Sequence, residues 1–411
     1  MDTFAALVLV LSLALLLYTY LGYPVLLALL ARVRGARPEA AGDPAPWPTV
    51  SIILSAYNEE AVIGRRLVNL LELEYPPERL SIVIGSDGSS DRTCAIVRRF
   101  RTPRITLYEF TGRRGKAMVL NDLVSRAGGE IAVFTDANTF FHPSAVKELV
   151  RGLHRDPTAC AVVGRLELRK TTGTVNPDRA YWRYESRLKE LESRFGTLLG
   201  ANGPIYAIRR ARYRPLPPGT IVDDFLIPML MRLHGGGAVV FRPSAHAWEL
   251  VPETVHDEFR RRVRIGAGDL LAVRHTWRLL LPRHGMLAVS YWSHKVLRWM
   301  GPGLLAAAAT SNLFLLDRLW GRGLFAAQLA GYGLAALAPR LRRLPGIGRL
   351  AAAARYFVVL NAALAWGFLR CLRGQAGPAW QTTPRTAELA WAAERRVRED
   401  AIADQQADRA A

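Results

Sequence analysis

From Phe4 to Ala31 the chain carries no charged side chain. That run of 28 residues exceeds the roughly 20 an apolar helix needs to cross a bilayer. A secretory signal would start with basic residues and have a shorter apolar core. Here Asp2 precedes the run, and Arg32, Arg34 and Arg37 follow it. The excess of arginine on one side predicts an N-terminus outside and residue 32 onward in the cytoplasm, in an integral protein of the cytoplasmic (inner) membrane. Tyr18, Tyr20 and Tyr23, next to Pro24, predict an interfacial belt or a kink near the cytoplasmic end.

The rest of the chain divides by composition. Residues 1–47 read as this helix followed by a Pro-rich linker, "RPEAAGDPAPWP" over 37–48. Residues 48–276 mix charges with alternating strand and helix signals and read as a cytoplasmic domain. Residues 277–374 turn apolar again, with candidate spans near 296–316, 322–339 and 350–369, and 375–411 form a polar tail. The formal charge is +20 with 55 basic residues, of which only five are lysine. Such a balance suits acidic lipid or a phosphorylated substrate. No zinc finger or ribonucleoprotein motif is present, so nucleic acid is not expected as a partner. The three cysteines, Cys94, Cys160 and Cys371, lie far apart without metal-ligand spacing, which fits a reducing compartment.

Within 48–276 one design repeats. "VSIILSAYNEE" is an apolar strand ending in polar residues, followed by a helical pattern through Val62, Leu67, Leu70 and Leu71. "LSIVIGSDGSSDRT" and "EIAVFTDANT" do the same. Continuous apolar strands alternating with helices predict a parallel sheet covered on both faces. Their carboxyl ends then share one edge, where ligands bind in open α/β sheets. Tyr57, Asn58, Glu59, Asp87 and Asp136 should face that edge. Asp136 and Asn138 are also good turn residues, so a plain strand end is the competing reading. A sugar nucleotide would bring a diphosphate that carboxylates alone repel. A divalent cation, Mg²⁺ or Mn²⁺, turns that repulsion into a clamp and needs few protein oxygens. Asp136 is the natural ligand, Asp87 suits a hydrogen bond to base or ribose, and Lys116 can donate near base or phosphate.

Taken together, these segments resemble the membrane-bound family 2 glycosyltransferases, the group around cellulose, hyaluronan and poly-N-acetylglucosamine synthases. "SAYNEE" resembles the family's first-strand motif, with Tyr57 and Glu59 on the nucleotide side. "SDGSSDRT" resembles its Asp-Asp-Gly-Ser segment, with Ser86 in place of the first Asp. "GKAMVLN" resembles its Gly-Lys-x-x-Ala-Leu-Asn segment. "TDAN" stands at the metal-binding Asp-x-Asp, with Asn138 replacing the second Asp. "GANGPIYAIRR" is similar to the segment lining the acceptor site, which implies that role for Asn202 and Gly203. "VDDF" looks like the acidic pair, implying Asp223 at the acceptor and Asp224 as catalytic base. "RRRVRIGAG" sits at the late Gln-x-x-Arg-Trp motif. Only Arg264 is kept there, for the diphosphate, because Arg261 replaces the Gln and Ile265 the Trp.

The resemblance implies a GT-A type nucleotide-sugar-binding domain with a mostly parallel sheet, flanked by transmembrane helices. It implies inverting transfer of a sugar from a nucleotide-diphosphate donor to a lipid-linked or glycan acceptor at the membrane, with membrane lipids as further partners. Two alternatives remain: a processive polysaccharide synthase, which the absent Trp disfavours, and a catalytically silent nucleotide-sugar-binding protein.

Overall fold

The computed structural model describes residues 2–34, 42–169, 179–201, 203–250 and 255–375. The polar tail and Asn202 lie outside the described residues. The chain divides into two compact units. One runs over 36–253; the other combines 1–35 with 254–376.

The first unit is built on an eight-stranded mixed sheet. Its strands are β1 (Val50–Ala56), β2 (Leu80–Asp87), β3 (Ile105–Phe110), β4 (Ile131–Thr135), β5 (Thr139–Phe141), β6 (Ala159–Arg169), β7 (Tyr206–Arg209) and β8 (Ala238–Leu250). Their order is β3-β2-β1-β4-β7-β6-β8-β5. The half β3-β2-β1-β4 is all parallel, as the repeated strand–helix design predicts. In the other half, β7 pairs antiparallel with β4 and β6, and β5 antiparallel with β8, while β6 and β8 are parallel. Every residue of β1 and β4 is buried, which suits their mainly apolar composition. Edge strand β3 instead has only half-buried and exposed positions.

Register decides where the polar strand ends emerge. Leu54 is level with both Ile84 and Thr135. Asp87, at the end of β2, and Asp136, just past β4, therefore leave the sheet along one edge. The chain winds from β1 through β2 to β3, then returns to β4 on the other side of β1. That reversal opens a crevice at the strand ends. Below it, Ile52, Leu54, Ile82, Ile84 and Val133 form one core with Ile63, Leu67 and Leu70 of the helix Ile63–Leu71 and Val146, Leu149 and Leu153 of the helix Ala145–Arg155.

The second unit is helical. Residues 2–34 form one continuous helix in which Tyr18–Gly22 is a π-helical turn. Tyr23 donates to the Tyr18 carbonyl, and Pro24, which has no N–H, cannot serve the Tyr20 carbonyl. The expected kink is thus a local widening of the helix. A second π-helical turn, Tyr291–Val296, meets it through the Tyr18 Oη–Ser293 Oγ hydrogen bond of 2.9 Å. Ala5 and Leu9 pack on Ala308 and Leu315, whereas Phe4, Leu7, Val10, Leu11 and Leu17 are exposed.

Two helices among the described residues are long and apolar enough to cross a membrane, Asp2–Arg34 and Ile347–Leu372. The stretch near 296–316 is divided into short helices, the longest being Gly301–Leu313 with 13 residues. The stretch near 322–339 lies in the helix Leu319–Leu341. Arg264 lies half-buried on the helix Val255–Thr276, which packs on Ile347–Leu372 within this same unit. A Cβ on Gly367 would stand 2.5 Å from the Val263 carbonyl oxygen, so only a glycine lets these two backbones approach.

Leu67 is fully buried in the sheet unit's core. Leu67→Ala is expected to cost about 2–5 kcal/mol of stability, the usual loss for a buried leucine. Denaturant unfolding followed by tryptophan fluorescence measures it.

Candidate active site

The first two strand-end segments are laced together. Asn58 adopts a left-handed backbone conformation, φ 51°. Its N–H donates to Ser89 Oγ at 3.1 Å, and its Oδ1 accepts from Ser90 N–H at 2.9 Å. The N–H of buried Glu59 donates to Thr93 Oγ1 at 2.8 Å, and that of Glu60 to Asp91 Oδ2 at 3.0 Å. Ser86 Oγ accepts from Ser89 N–H at 3.3 Å. Tyr57 remains half-buried, with the Arg113 guanidinium 3.8 Å above its ring.

Asp87 is 2% exposed, and its two oxygens accept the backbone N–H groups of Arg114 (2.7 Å) and Gly115 (3.0 Å). The carboxylate expected to read a base or ribose therefore also holds the turn that leads into the helix Lys116–Arg126. Gly88, with φ 69°, makes this possible, since a Cβ there would lie 2.8 Å from the Gly112 backbone.

That turn delivers Lys116 between two acids. Its Nζ lies 2.9 Å from Asp136 Oδ1 and 3.1 Å from Asp223 Oδ2. Burial alone would lower its pKa, but Asp136 and Asp223 hold the ammonium well above the ordinary lysine range. Asp223 is pushed up to about 6, chiefly by burial, with Lys116 pulling it down and Asp224 and Asp136 raising it further.

Asp223 and Asp224 open the helix Asp223–Gly235, where backbone N–H groups and the helix dipole favour negative charge. Asp224 is half-buried. Its Oδ1 accepts from Phe225 N–H at 3.0 Å, and its Oδ2 makes no hydrogen bond among the described residues. Its backbone carbonyl accepts from Ala201 N–H at 2.8 Å. Gly200, φ 72°, lies against this helix start, where a Cβ would stand 2.8 Å from Phe225 Cα. The segment 199–201 thus rests on the acidic pair. Gly203 follows it; Asn202 is outside the described residues.

Asn138 is buried and donates from Nδ2 to Glu249 Oε1 on β8 at 2.8 Å. This orients its amide and leaves Oδ1 as the accepting atom. Asp136 and Asn138 together supply hard oxygens, a carboxylate and an amide carbonyl. No group of three or more His, Cys, Asp or Glu side chains able to hold a metal occurs among the described residues. A carboxylate and an amide carbonyl are oxygen donors of the kind Mg²⁺ and Mn²⁺ accept.

Three neighbours were not singled out by sequence reasoning. Arg66, fully buried, donates from Nη2 to Thr135 Oγ1 at 2.7 Å; burial pushes its guanidinium down to about 9, opposed by Asp136. Its position was legible: Ile63, Arg66, Leu67 and Leu70 follow the i, i+3, i+4, i+7 spacing of a core face. Tyr206 stacks on Phe134 with centroids 4.8 Å apart, and its buried hydroxyl has no hydrogen-bond partner among the described residues. Asn121 accepts from Tyr213 Oη (2.6 Å) and Leu216 N–H (2.8 Å) and donates to the Leu216 carbonyl (2.9 Å). It thereby fixes the connection from β7 towards Asp223.

Residues 51–214 match the family described as Glycosyl transferase family 2. A probable glycosyltransferase of Bacillus subtilis is 29% identical over 245 residues, covering 55% of this chain and 56% of that protein. A poly-beta-1,6-N-acetyl-D-glucosamine synthase of Staphylococcus epidermidis is 26% identical over 225 residues, covering 53% of this chain and 54% of that protein. The chain spans about half the length of the curated relatives it matches. Among solved structures, a mannosyltransferase from Pyrobaculum calidifontis in complex with GDP-Man and Mn²⁺ shares the fold. Its TM-score is 0.68 and its identity 24%, and the match covers 90% of this chain and 99% of that one.

Asp223 makes the stability of the site pH-dependent. Its folded-state value of about 6 lies above its ordinary 3.8, so the folded protein binds more protons between those values. Stability from this group is full below the ordinary value and is lost as pH rises through about 6. Lys116→Met removes the ammonium that holds Asp223 down. The variant is expected to keep losing stability well above that pH, which melting temperatures from pH 4 to about 8 would reveal.

Proposed function

We propose that this chain, whose residues 51–214 match the Glycosyl transferase family 2 model, carries out inverting transfer of a sugar from a nucleotide-diphosphate donor to a membrane-associated acceptor. The observation that carries this reading is the single cluster of Lys116, Asp136 and Asp223, with Asp224 adjoining it on the same helix start.

Asp224 takes the proton of the acceptor hydroxyl as that oxygen attacks the anomeric carbon. The bond from that carbon to the diphosphate oxygen breaks, and the nucleoside diphosphate leaves with the electron pair. The Asp224 Oδ2 suits this task, because Oδ1 is already held by Phe225 N–H. Asp223, paired with Lys116, and the segment at Gly203 serve the acceptor. Tyr57, Glu59, Asp87 and Lys116 serve the nucleotide and its diphosphate, and the sequence motif assigns Arg264 to the leaving diphosphate. Asp136 and Asn138 would hold Mg²⁺ or Mn²⁺, whose chemistry here is to neutralise charge on the diphosphate.

The two long apolar helices, with Arg32 and Arg34 closing the first, support an integral protein of the cytoplasmic membrane with the sheet unit on the cytoplasmic side. Ile265, standing at the position of the family's late Trp, favours addition of one or a few sugars over continuous polymerisation.

Release of nucleoside diphosphate from a panel of labelled nucleotide sugars tests the reaction. Asp224→Asn keeps the shape and removes proton acceptance, so turnover is expected to fall roughly 10²- to 10⁴-fold with donor binding nearly unchanged. Near-normal turnover would remove Asp224 from the role of base. Asp136→Ala is expected to abolish Mn²⁺-dependent donor binding, while Asn138→Asp retains or tightens it, because a carboxylate binds a hard cation better than an amide. Indifference of activity to a chelator would return Asp136 and Asn138 to a plain turn. A lipid-free product of high molecular mass from the purified protein would make it a processive synthase.

A further inference from the structure

Arg66 is 0% exposed, and among the described residues no carboxylate lies within ion-pair distance of it. Burying a guanidinium is costly unless the charge is used, and an apolar residue of similar volume is often neutral or stabilising at such a place. Its helix offers an apolar position here, between Ile63 and Leu70 on the core face. The arginine instead packs over the Phe141 ring, 4.4 Å from its centroid. Its Nη2 donates to Thr135 Oγ1 at 2.7 Å, and its Nη1 donates to Asn69 Oδ1. Asn69 in turn grips the backbone of Phe141: Oδ1 accepts from its N–H at 2.9 Å, and Nδ2 donates to its carbonyl at 2.9 Å. One helical turn therefore holds both ends of the seven residues 135–141. Asp136 and Asn138 lie between those ends, and Asn138 is tied separately to Glu249.

We infer that Arg66 and Asn69 are positioning residues, a clasp that fixes the turn bearing Asp136 and Asn138 for the donor diphosphate and its cation. The inference rests on the donor site proposed above. Thr135 is the last residue of β4 and directly precedes Asp136, so its anchored hydroxyl sets the direction in which the chain leaves the sheet. The clasp also accounts for a charge in the core that packing alone would not select. The guanidinium and Asp136 are electrostatically coupled across that one residue.

The test uses the full-length protein in detergent, with MnCl2 and UDP or GDP as probes in isothermal titration calorimetry, and thermal unfolding of the same samples without nucleotide. Arg66→Met removes charge and donors while keeping an apolar stem. Nucleoside diphosphate affinity in Mn²⁺ is expected to fall roughly 10- to 100-fold, the range for losing a charged buried hydrogen bond. The melting temperature without nucleotide is expected to hold or rise, which a merely structural arginine would not allow. Thr135→Val, nearly isosteric, is expected to lower affinity in the same direction, and it decides the matter if Arg66→Met does not fold. Arg66→Lys, which keeps the charge but cannot span Thr135 and Asn69 together, is expected to recover only part of the affinity. Wild-type affinity in both Arg66→Met and Thr135→Val overturns the clasp, as does a loss that only follows a fall in melting temperature. Absence of binding by the unaltered protein would overturn the donor-site reading itself.

Discussion

The ammonium of Lys116 is the contact on which the site depends. Asp136 arrives from the end of β4, and Asp223 and Asp224 from the start of a helix far along the chain. Brought together without a cation, they would repel one another. The raised Asp223 shows that burial remains costly even with the lysine in place. Lys116 itself stands at the first position of its helix, where the dipole disfavours positive charge. The two acids at 2.9 and 3.1 Å, not the helix, select a cation there. Asp87 belongs to the same chain of causes, because its carboxylate shapes the turn that aims Lys116.

The mixed sheet assigns the two sides of this cluster to different strands. The parallel half supplies Asp87 and Asp136 from strand ends. The antiparallel β7 leads, through the connection fixed by Asn121, to Asp223 and Asp224. The halves meet where β4 pairs with β7, and there Phe134 and Tyr206 lie ring against ring with an interplanar angle of 5°. A stacked pair at that seam fixes the distance between the two sources of carboxylate. Movement of one half relative to the other would separate Lys116 from one of its partners.

Much of this was legible in the sequence, for physical reasons that can be stated. Strands buried on both faces must be continuously apolar, so β1, β2 and β4 announce themselves, and the polar residues that end them mark the edge. Ordered motifs brought Lys116, Asp136, Asp223, Asp224 and Arg264 forward in separate roles, and the structure brings Lys116, Asp136 and Asp223 within ion-pair distance. The antiparallel half was less visible, because β5 has three residues and β7 four, too short for a periodic signal. What Asp87 holds was hidden as well: a carboxylate gripping backbone N–H groups looks, in sequence, the same as one awaiting a ligand. Arg66 was readable by its spacing, yet a cation on an apolar face is easily taken for a solvated residue. The helical unit shows the opposite limit. Hydropathy finds its long helices, but the breaks and π-turns around Tyr291–Trp299 arise from packing that composition does not record.

The helical unit is assembled from the two ends of a chain that passes through the whole sheet unit between them. Ala5 and Leu9 find their partners at Ala308 and Leu315, about 300 residues later. On a ribosome the first helix is thus complete long before the surface it packs against exists. The sheet unit, whose strands all lie within 50–250, is finished in that interval. Its folding precedes closure of the helical body. Synthesis itself then imposes an order of assembly: a sheet unit that matures first, and a helical body, begun before it, that closes last.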